Sequence, residues 1–228
     1  MFFFLAGVVE GKLKRCDDIQ GWCVSYRSAL VLSSSALTPE ECKPLVTPLS
    51  MEDPSVMYGR VNFLLGYTSH DVYKAFLNLT DSSWVKISAS PVRSGEVVML
   101  QENRMNGTCM TSTTNVTFEG NTATVEMANS TSSFYLLPSC DGCLVFVINS
   151  TARNTKRLLK LLKIDIDASD EFVAHSLYLL GKESTLKEPE LEHFKQQATC
   201  LGFSGDPDFI YNPEKSFCAE GEGIKIPN

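Results

Sequence analysis

The chain has 228 residues and a formal net charge of −7, with 43% hydrophobic and 21% charged residues. This hydrophobic share is enough for a packed core and excludes a disordered chain. The acidic excess provides no basic field for a phosphate backbone, so we expect no nucleic-acid partner. The longest apolar run, residues 2–9, is shorter than the roughly 20 residues that cross a bilayer, so we expect no stable membrane insertion.

The first segment in chain order, residues 1–36, has the features of an atypical signal peptide. A basic residue and a short apolar stretch at 27–32 precede small residues at Ser34 and Ala36, as at a signal-peptidase site. We expect cleavage after Ala36 or within a residue or two. The remaining chain, 37–228, is then one domain that keeps an even number of cysteines.

The rest of the chain reads mainly as strands. From residue 58 onward, β-branched and aromatic runs alternate with turn residues such as Asn106-Gly107 and Asp141-Gly142. Two helices are predicted, at 155–164 and at about 188–201. Eight antiparallel strands followed by a helix predict an all-β closed barrel, wide enough for one small ligand. The strands are expected near 60–67, 84–90, 96–102, 108–118, 122–128, 132–137, 143–149 and 172–181.

Alternation along the first three strands predicts which side chains face the barrel interior. The side chains expected to face water are Arg60, Asn62, Lys86, Ser88, Glu96 and Glu102. The candidate ligand-binding residues, on the opposite face, are Phe63, Leu65, Tyr67, Val85, Ile87, Met99 and Gln101. The pattern alone leaves open whether these residues line a cavity or fill a packed core.

Sequons and cysteines indicate the compartment. Five Asn-x-Ser/Thr sequons stand beside eight cysteines, which favours a secreted, N-glycosylated protein with disulfide bonds. Accidental sequons in a chain rich in Ser, Thr and Asn are the alternative. The cysteine and histidine spacings match no zinc pattern, so we expect no metal and no cofactor. The candidate glycosylation sites are Asn78, Asn106, Asn115, Asn129 and Asn149.

One motif has a catalytic appearance, Cys140-Asp-Gly-Cys143. Such pairs can exchange thiols and disulfides, but redox pairs usually open a helix in a βαβ unit. This pair lies between two predicted strands and has no cationic neighbour in sequence, which favours a structural clasp. The chain also has no phosphate-binding loop motif and no nucleophile-elbow motif, so we expect that the protein is not an enzyme.

The predicted helix at 155–164 is cationic and amphipathic. Lysines and one arginine alternate with leucine pairs along it. Such a helix can dock on an anionic membrane surface. At about three turns, packing of its apolar face across the barrel is the favoured interpretation.

The C-terminal region resembles a known family. The stretch SLYLLGKESTLKEPELEHFKQQATC at 176–200, followed by DFIY at 208–211 and KSFC at 215–218, resembles the last strand, helix and tail of the orosomucoid group of lipocalins. The region 41–228 is most similar to fish members that bind saxitoxin, tetrodotoxin or tributyltin. The resemblance implies a lipocalin barrel, here expected as a monomer, that carries small molecules in plasma or another body fluid.

The resemblance also implies disulfide pairings and raises one departure. It pairs Cys42 with Cys200 and Cys109 with Cys218. Cys140 and Cys143 remain, and a bond between them would close a very short loop and would be more easily reduced. In the first strand, Gly59-Arg-Val61 has valine where lipocalins usually carry a tryptophan that plugs the barrel base. Other side chains must then fill the base, or it is loosely packed.

Two functions remain open at this point. A carrier of toxins would need a carboxylate or aromatic faces for a guanidinium group, whereas organotins or steroids fit apolar walls at least as well. The alternative is a glycoprotein that acts through its outer surface, as an immune or gamete interaction partner, with a filled barrel and no dedicated ligand.

Overall fold

The chain forms two compact units, Met1–Ala36 and Leu37–Asn228. In the first unit, strand β1 (Leu13–Arg15) pairs antiparallel with β2 (Val24–Tyr26). That this unit is a cleaved leader stays a prediction. The computed structural model describes residues 13–15, 24–26, 37–93, 95–127, 129–156, 159, 166 and 169–225.

Eight antiparallel strands of the second unit form a closed barrel, as the sequence predicts. Each strand pairs with the next, and the last pairs back with the first, which removes the open sheet edges. The second barrel strand begins at Thr80 rather than near 84, because the polar residues there pair with the end of the third. The strands are β3 (Gly59–Thr68), β4 (Thr80–Ala89), β5 (Val97–Met105), β6 (Thr108–Glu119), β7 (Thr122–Met127), β8 (Ser130–Leu137), β9 (Cys143–Arg153) and β10 (Glu171–Gly181).

Three α-helices lie wholly within the described residues, and of these only the last was predicted. Helix α1 (Pro39–Val46) begins with a capping box, in which Thr38 Oγ1 accepts the N–H of Glu41 at 3.3 Å. Helix α2 (Asp71–Leu79) connects β3 to β4, and α3 (Glu188–Cys200) packs on the outside of the barrel. No helix of the described residues is long and apolar enough to span a membrane.

The predicted helix at 155–164 lies largely outside the described residues. Thr155, Lys156 and Leu159 are helical. The side chain of Leu159 is 3% exposed and belongs to an apolar cluster with Val72 of α2 and Phe172 of β10. This packing at the α2 end of the barrel agrees with the interpretation favoured for the segment.

The C-terminal tail adds two short strands that the sequence did not predict. Strand β11 (Phe209–Ile210) pairs with β3 at Gly66, beyond the point where β3 stops pairing with β4. The tail therefore fills the place where these two barrel strands part. Strand β12 (Ile224–Lys225) pairs in parallel with β6.

A valine and two methionines close the barrel base in place of the missing tryptophan. Val61 is 3% exposed and packs in the main core cluster. Met51 and Met57, from the segment before β3, join it, and the backbone N–H of Met51 donates to Asn121 in the turn between β6 and β7. These methionines are each 2% exposed, so the base is packed rather than loose.

Three disulfide bonds are present among the described residues, and two of them have the pairings that the resemblance implied. Cys42–Cys200 links α1 to α3, and Cys109–Cys218 links β6 to the tail. Closing loops of such length stabilises a fold by about 2–4 kcal/mol each. Cys140–Cys143 spans only the turn between β8 and β9.

Two residues expected to face water are buried. Glu102 points away from the barrel interior but is covered by the tail, where its carboxylate accepts the hydroxyl of Thr111 at 2.8 Å and the N–H of Gly221 at 2.7 Å. Asn62 is 8% exposed, and its amide donates to the carbonyl of Lys182 at 3.0 Å. Alternation alone cannot show that another segment covers the outer face.

Asp81 is expected to contribute acid-sensitive stability. Its carboxylate accepts the N–H of Gly107 at 2.7 Å and lies 3.0 Å from Lys215 Nζ; first the Gly107 hydrogen bond and then Lys215 lower the pKa of Asp81. A folded pKa below the unfolded value of about 3.9 stabilises the fold above that value and loses the contribution as pH falls through the folded pKa. We expect Asp81→Asn to cost about 1 kcal/mol at neutral pH and nothing once the native Asp81 is protonated. Urea unfolding at several pH values checks this; a difference that persists in strong acid would contradict it.

Candidate ligand-binding site

Strand β3 reverses the face that it shows to the barrel interior halfway along its length. Leu180 of β10 pairs with Phe63, whereas the preceding Leu179 pairs with Leu65, so Leu64 has no partner and forms a β-bulge. A bulge of one residue inverts the alternation of all residues that follow it. Phe63 therefore faces inward, whereas Leu65 and Tyr67, which follow the bulge and were predicted to face inward, face the outside of the barrel.

The barrel contains a cavity of about 480 Å³ between the strands and α2. This volume lies within the usual range for sites that hold small molecules. The apolar side chains of its wall are Phe63, Phe76, Leu77, Val85, Met99, Met105, Met110, Phe134, Phe146, Ile148 and Leu180. Its polar side chains are Thr80, Ser83, Gln101, Asn103 and Tyr178.

The structure brings together four of the seven predicted ligand-binding residues. Leu65 and Tyr67 lie beyond the bulge and pack under α3, with the ring of Tyr67 centred 5.8 Å from that of Phe194. Their predicted inward orientation is therefore wrong. Ile87 lies in the main core cluster and does not reach the cavity wall. The four residues on the wall, whose contact with a ligand stays a prediction, are Phe63, Val85, Met99 and Gln101.

A polar strip crosses the otherwise apolar wall. The amide nitrogen of Gln101 donates to Asn103 Oδ1 at 3.0 Å and to Ser83 Oγ at 3.4 Å. This leaves Gln101 Oε1 and the Asn103 amide nitrogen without a hydrogen-bond partner among the described residues, as one acceptor and one donor for a ligand. Burial raises the pKa of Tyr178, so its phenol stays neutral and can also donate.

The described part of the cavity wall carries no ionisable group other than the tyrosine phenol. Burying an unpaired charge there would be costly, so the cavity suits a neutral ligand, or one whose charge stays outside. Three methionines, Met99, Met105 and Met110, give the wall flexible and polarisable surfaces that adapt to ligand shape.

Helix α2 lies over the end of the cavity and was missed by the sequence reasoning. Its Phe76 and Leu77 line the cavity. The apolar spacing at 72 and 76, and at 73 and 77, is the helical signal that could have revealed it. At its start, the N–H of Val72 donates to His70 Nδ1 at 3.3 Å, and the His70 ring stacks on Phe172 with centroids 3.7 Å apart.

The His70 cap is expected to hold α2 over the cavity. His70→Ala removes the acceptor of the Val72 N–H and leaves this donor unpaired at the helix N-terminus. With a cap worth about 1 kcal/mol, we expect ligand affinity to fall about fivefold in this variant.

His70→Asn provides the matched control, because asparagine caps helices well. Equilibrium dialysis should show the fall in affinity in His70→Ala and almost none in His70→Asn. An equal fall in both variants would show that the stacking of the His70 ring on Phe172, and not the cap, holds the helix in place.

Most of the candidate glycosylation sites lie where a glycan can be attached. Asn149 is half-buried on β9, and its side chain contacts the His175 ring. The occupancy of every sequon stays a prediction. The exposed members are Asn78, Asn106, Asn115 and Asn129.

Among the described residues, one cluster has the spacing of metal ligands, formed by Cys109, Cys218 and Glu222. Both cysteines of this cluster are joined in a disulfide bond, so they offer no thiolate. The cluster therefore gives no support for a metal site.

The fold is similar to that of solved lipocalins. Superposition on the siderocalin Ex-FABP gives a TM-score of 0.51 at 14% sequence identity, over 69% of this chain and 95% of that one. Superposition on the odorant-binding protein OBP1 gives 0.50 at 13% identity, over 69% and 90%. The sequence matches no protein-family model and no curated protein. Since likeness at such identities establishes the fold alone, the orosomucoid resemblance stays a prediction, and the chain has the lipocalin fold.

Proposed function

We propose that this protein is a secreted, N-glycosylated carrier that binds small, neutral, mainly apolar molecules in its barrel and catalyses no reaction on them. The observation that carries the proposal is the cavity of about 480 Å³ with an uncharged wall and one polar strip. Apolar walls desolvate a ligand, and a few polar groups orient it. The disulfide bonds fit an oxidising, extracellular compartment.

Among the ligands that the resemblance suggests, organotins and steroids fit this cavity better than guanidinium toxins. A guanidinium group is recognised most strongly by a carboxylate, and the described wall has none. The strip formed by Ser83, Gln101 and Asn103 suits one hydroxyl or carbonyl group at the end of an apolar ligand.

The names of the structural neighbours also support small-ligand binding. The siderocalin Ex-FABP is described as functioning through dual ligand specificities, and OBP1 is named as an odorant-binding protein. Because fold does not determine function, these descriptions support small-ligand binding without identifying the ligand.

Equilibrium dialysis of the purified, delipidated glycoprotein tests the proposal directly. The panel is a steroid, a tributyltin salt, tetrodotoxin and saxitoxin. Tryptophan fluorescence is a poor reporter, because Trp84 lies outside the barrel interior, where its indole donates to the Cys218 carbonyl at 2.8 Å. We expect saturable one-to-one binding of the steroid or the organotin and none of the toxins. Binding of a toxin alone would overturn the uncharged-ligand proposal.

A surface-acting glycoprotein is the second candidate, and the exposed positions of four sequons favour it. Absence of binding across the panel, by protein shown to be folded, would support this candidate. Partner binding that depends on the glycans would then be the expected observation.

A further inference from the structure

The Cys140–Cys143 disulfide lies in a turn that other contacts already hold. The N–H of Cys143 donates to the Cys140 carbonyl at 3.0 Å, and the hydroxyl of Ser139 donates to the Cys143 carbonyl at 3.0 Å. The N–H of Lys182 donates to the Gly142 carbonyl at 2.9 Å. A bond that closes so short a loop restricts the unfolded chain little, so its reduction leaves the barrel folded.

The other two disulfides close much longer loops. Cys42–Cys200 joins residues 158 positions apart, and Cys109–Cys218 joins residues 109 positions apart. Cys109 and Cys218 are also buried, at 8% and 2% exposure. Breaking either bond would remove the covalent link between α1 and α3 or between the tail and β6.

A second cavity, of about 280 Å³, opens beside the short disulfide. Its lining includes Cys140 and several residues of α3 from Pro189 to Gln197, so one wall is the N-terminal part of α3. Cys143 packs instead against the apolar cluster beneath α3. Of the two cysteines, Cys140 is the one that lines this cavity. We therefore take the Cys140 sulfur as the atom that a molecule there would attack and the Cys143 sulfur as the leaving group.

The surroundings of the pair supply the positive charge that its sequence neighbours lack. The aliphatic stem of Lys182 lies across the turn, with carbons 3.6–3.8 Å from the position a side chain on Gly142 would occupy. The N-terminus of α3, with its partial positive charge, opens on the same cavity. Together they partly offset the negative charges of Asp141 and Glu190, which would otherwise oppose a thiolate at the turn.

Gln197 identifies the class of thiol that fits. This side chain is fully buried on the same cavity, and its amide nitrogen donates to the carbonyls of Leu45 and Pro138 at 2.9 and 2.7 Å. These two acceptors fix the amide orientation and leave Oε1 buried without a partner among the described residues. An unpaired acceptor favours a ligand that brings an N–H donor as well as a thiol.

We infer that Cys140–Cys143 is a thiol-exchange site for small cysteinyl peptides of the glutathione type. The peptide thiolate attacks Cys140 Sγ and forms a mixed disulfide, while the Cys140–Cys143 bond breaks and Cys143 leaves as a thiolate that takes a proton from water. A second peptide thiol attacks the mixed disulfide, which releases the oxidised peptide dimer and the Cys140 thiol. Two peptide thiols are oxidised as one protein disulfide is reduced.

The test is a time course of the intact glycoprotein with reduced glutathione, quenched with an alkylating reagent and mapped by mass spectrometry. We expect a glutathione adduct on Cys140 and alkylation of Cys143, while the other disulfides stay closed and the circular dichroism spectrum stays native. Modification of all three disulfides together, or of none before the protein unfolds, would overturn the inference.

Two further comparisons test the cavity itself. Lys182→Gln should slow adduct formation at least about threefold, whereas Lys74→Gln, at the opposite end of the barrel, should leave the rate unchanged. Glutathione should also react faster than 2-mercaptoethanol at equal thiolate concentration. Equal rates in either comparison would mean that the cavity takes no part, which overturns the inferred site.

Discussion

Replacing Phe209 by alanine is expected to destabilise the barrel by about 3–5 kcal/mol, the usual cost of removing a buried phenylalanine. Phe209 is 5% exposed and stacks on Phe63, with centroids 4.4 Å apart and planes within 5° of each other. It comes from the tail strand that fills the place where β3 and β4 part. Its loss therefore opens both the core and the barrel wall.

Ile210 is the matched control for this prediction, because it is the next residue of the same strand and is 60% exposed. Ile210→Ala should change the free energy of unfolding by no more than about 0.5 kcal/mol in urea denaturation. Equal effects of the two substitutions would show that β11 contributes through its backbone pairing alone.

Phe209→Ala should also weaken ligand binding. Phe63 lies on the cavity wall and is held between Phe209 and Tyr178, whose ring centroid is 4.8 Å from its own. Without Phe209, the Phe63 ring can move into the vacated space and change the shape of the cavity. A ligand that binds in the barrel should therefore lose affinity in Phe209→Ala under conditions where the variant is still folded.

The barrel itself could be predicted because its signals are local. Turn residues recur at short intervals, and alternation on β4 and β5 correctly placed Val85, Met99 and Gln101 facing the cavity. From Ser82 of β4 onward and along β5, the register is regular, so each side-chain direction follows from the strand period alone.

The bulge could not be predicted, because it depends on pairing with a distant strand. The apolar run Phe63-Leu64-Leu65 fits either face, and only the register against β10 shows that Leu64 has no partner. One unpaired residue was enough to give Leu65 and Tyr67 the wrong orientation. The tail strands escaped prediction for a similar reason, since two-residue strands carry no periodicity of their own.

The surroundings of the Cys140–Cys143 disulfide could not be predicted from the sequence either. Its sequence neighbours contain no cation, yet Lys182 crosses its turn and the start of α3 faces it. These groups are about 40 to 50 positions away in sequence, and only the pairing of β9 with β10 and the packing of α3 bring them together. Spacing within a motif cannot report such an environment.

Replacing Gln101 by glutamate is expected to lower the affinity for a neutral apolar ligand at least about tenfold, or about 1.4 kcal/mol. The substitution is nearly isosteric, but it places a carboxylate on an otherwise uncharged wall beside the Asn103 carbonyl oxygen. A neutral ligand would have to displace the water that solvates this charge, and burying it unpaired is costly. A guanidinium or ammonium ligand would instead gain a charged partner.

Two variants isolate the effect of the charge. Gln101→Leu removes the polar group without adding charge, so it should weaken binding less than the glutamate does. Gln196→Glu makes the same change on α3, outside the barrel, where Gln196 contacts Glu192 at 3.4 Å, and it should leave affinity unchanged. Equilibrium dialysis with the most tightly bound ligand of the panel measures the expected loss of affinity. Dialysis with a guanidinium compound measures the expected gain. If Gln101→Glu binds the neutral ligand as tightly as the native protein does, the ligand does not occupy the barrel cavity.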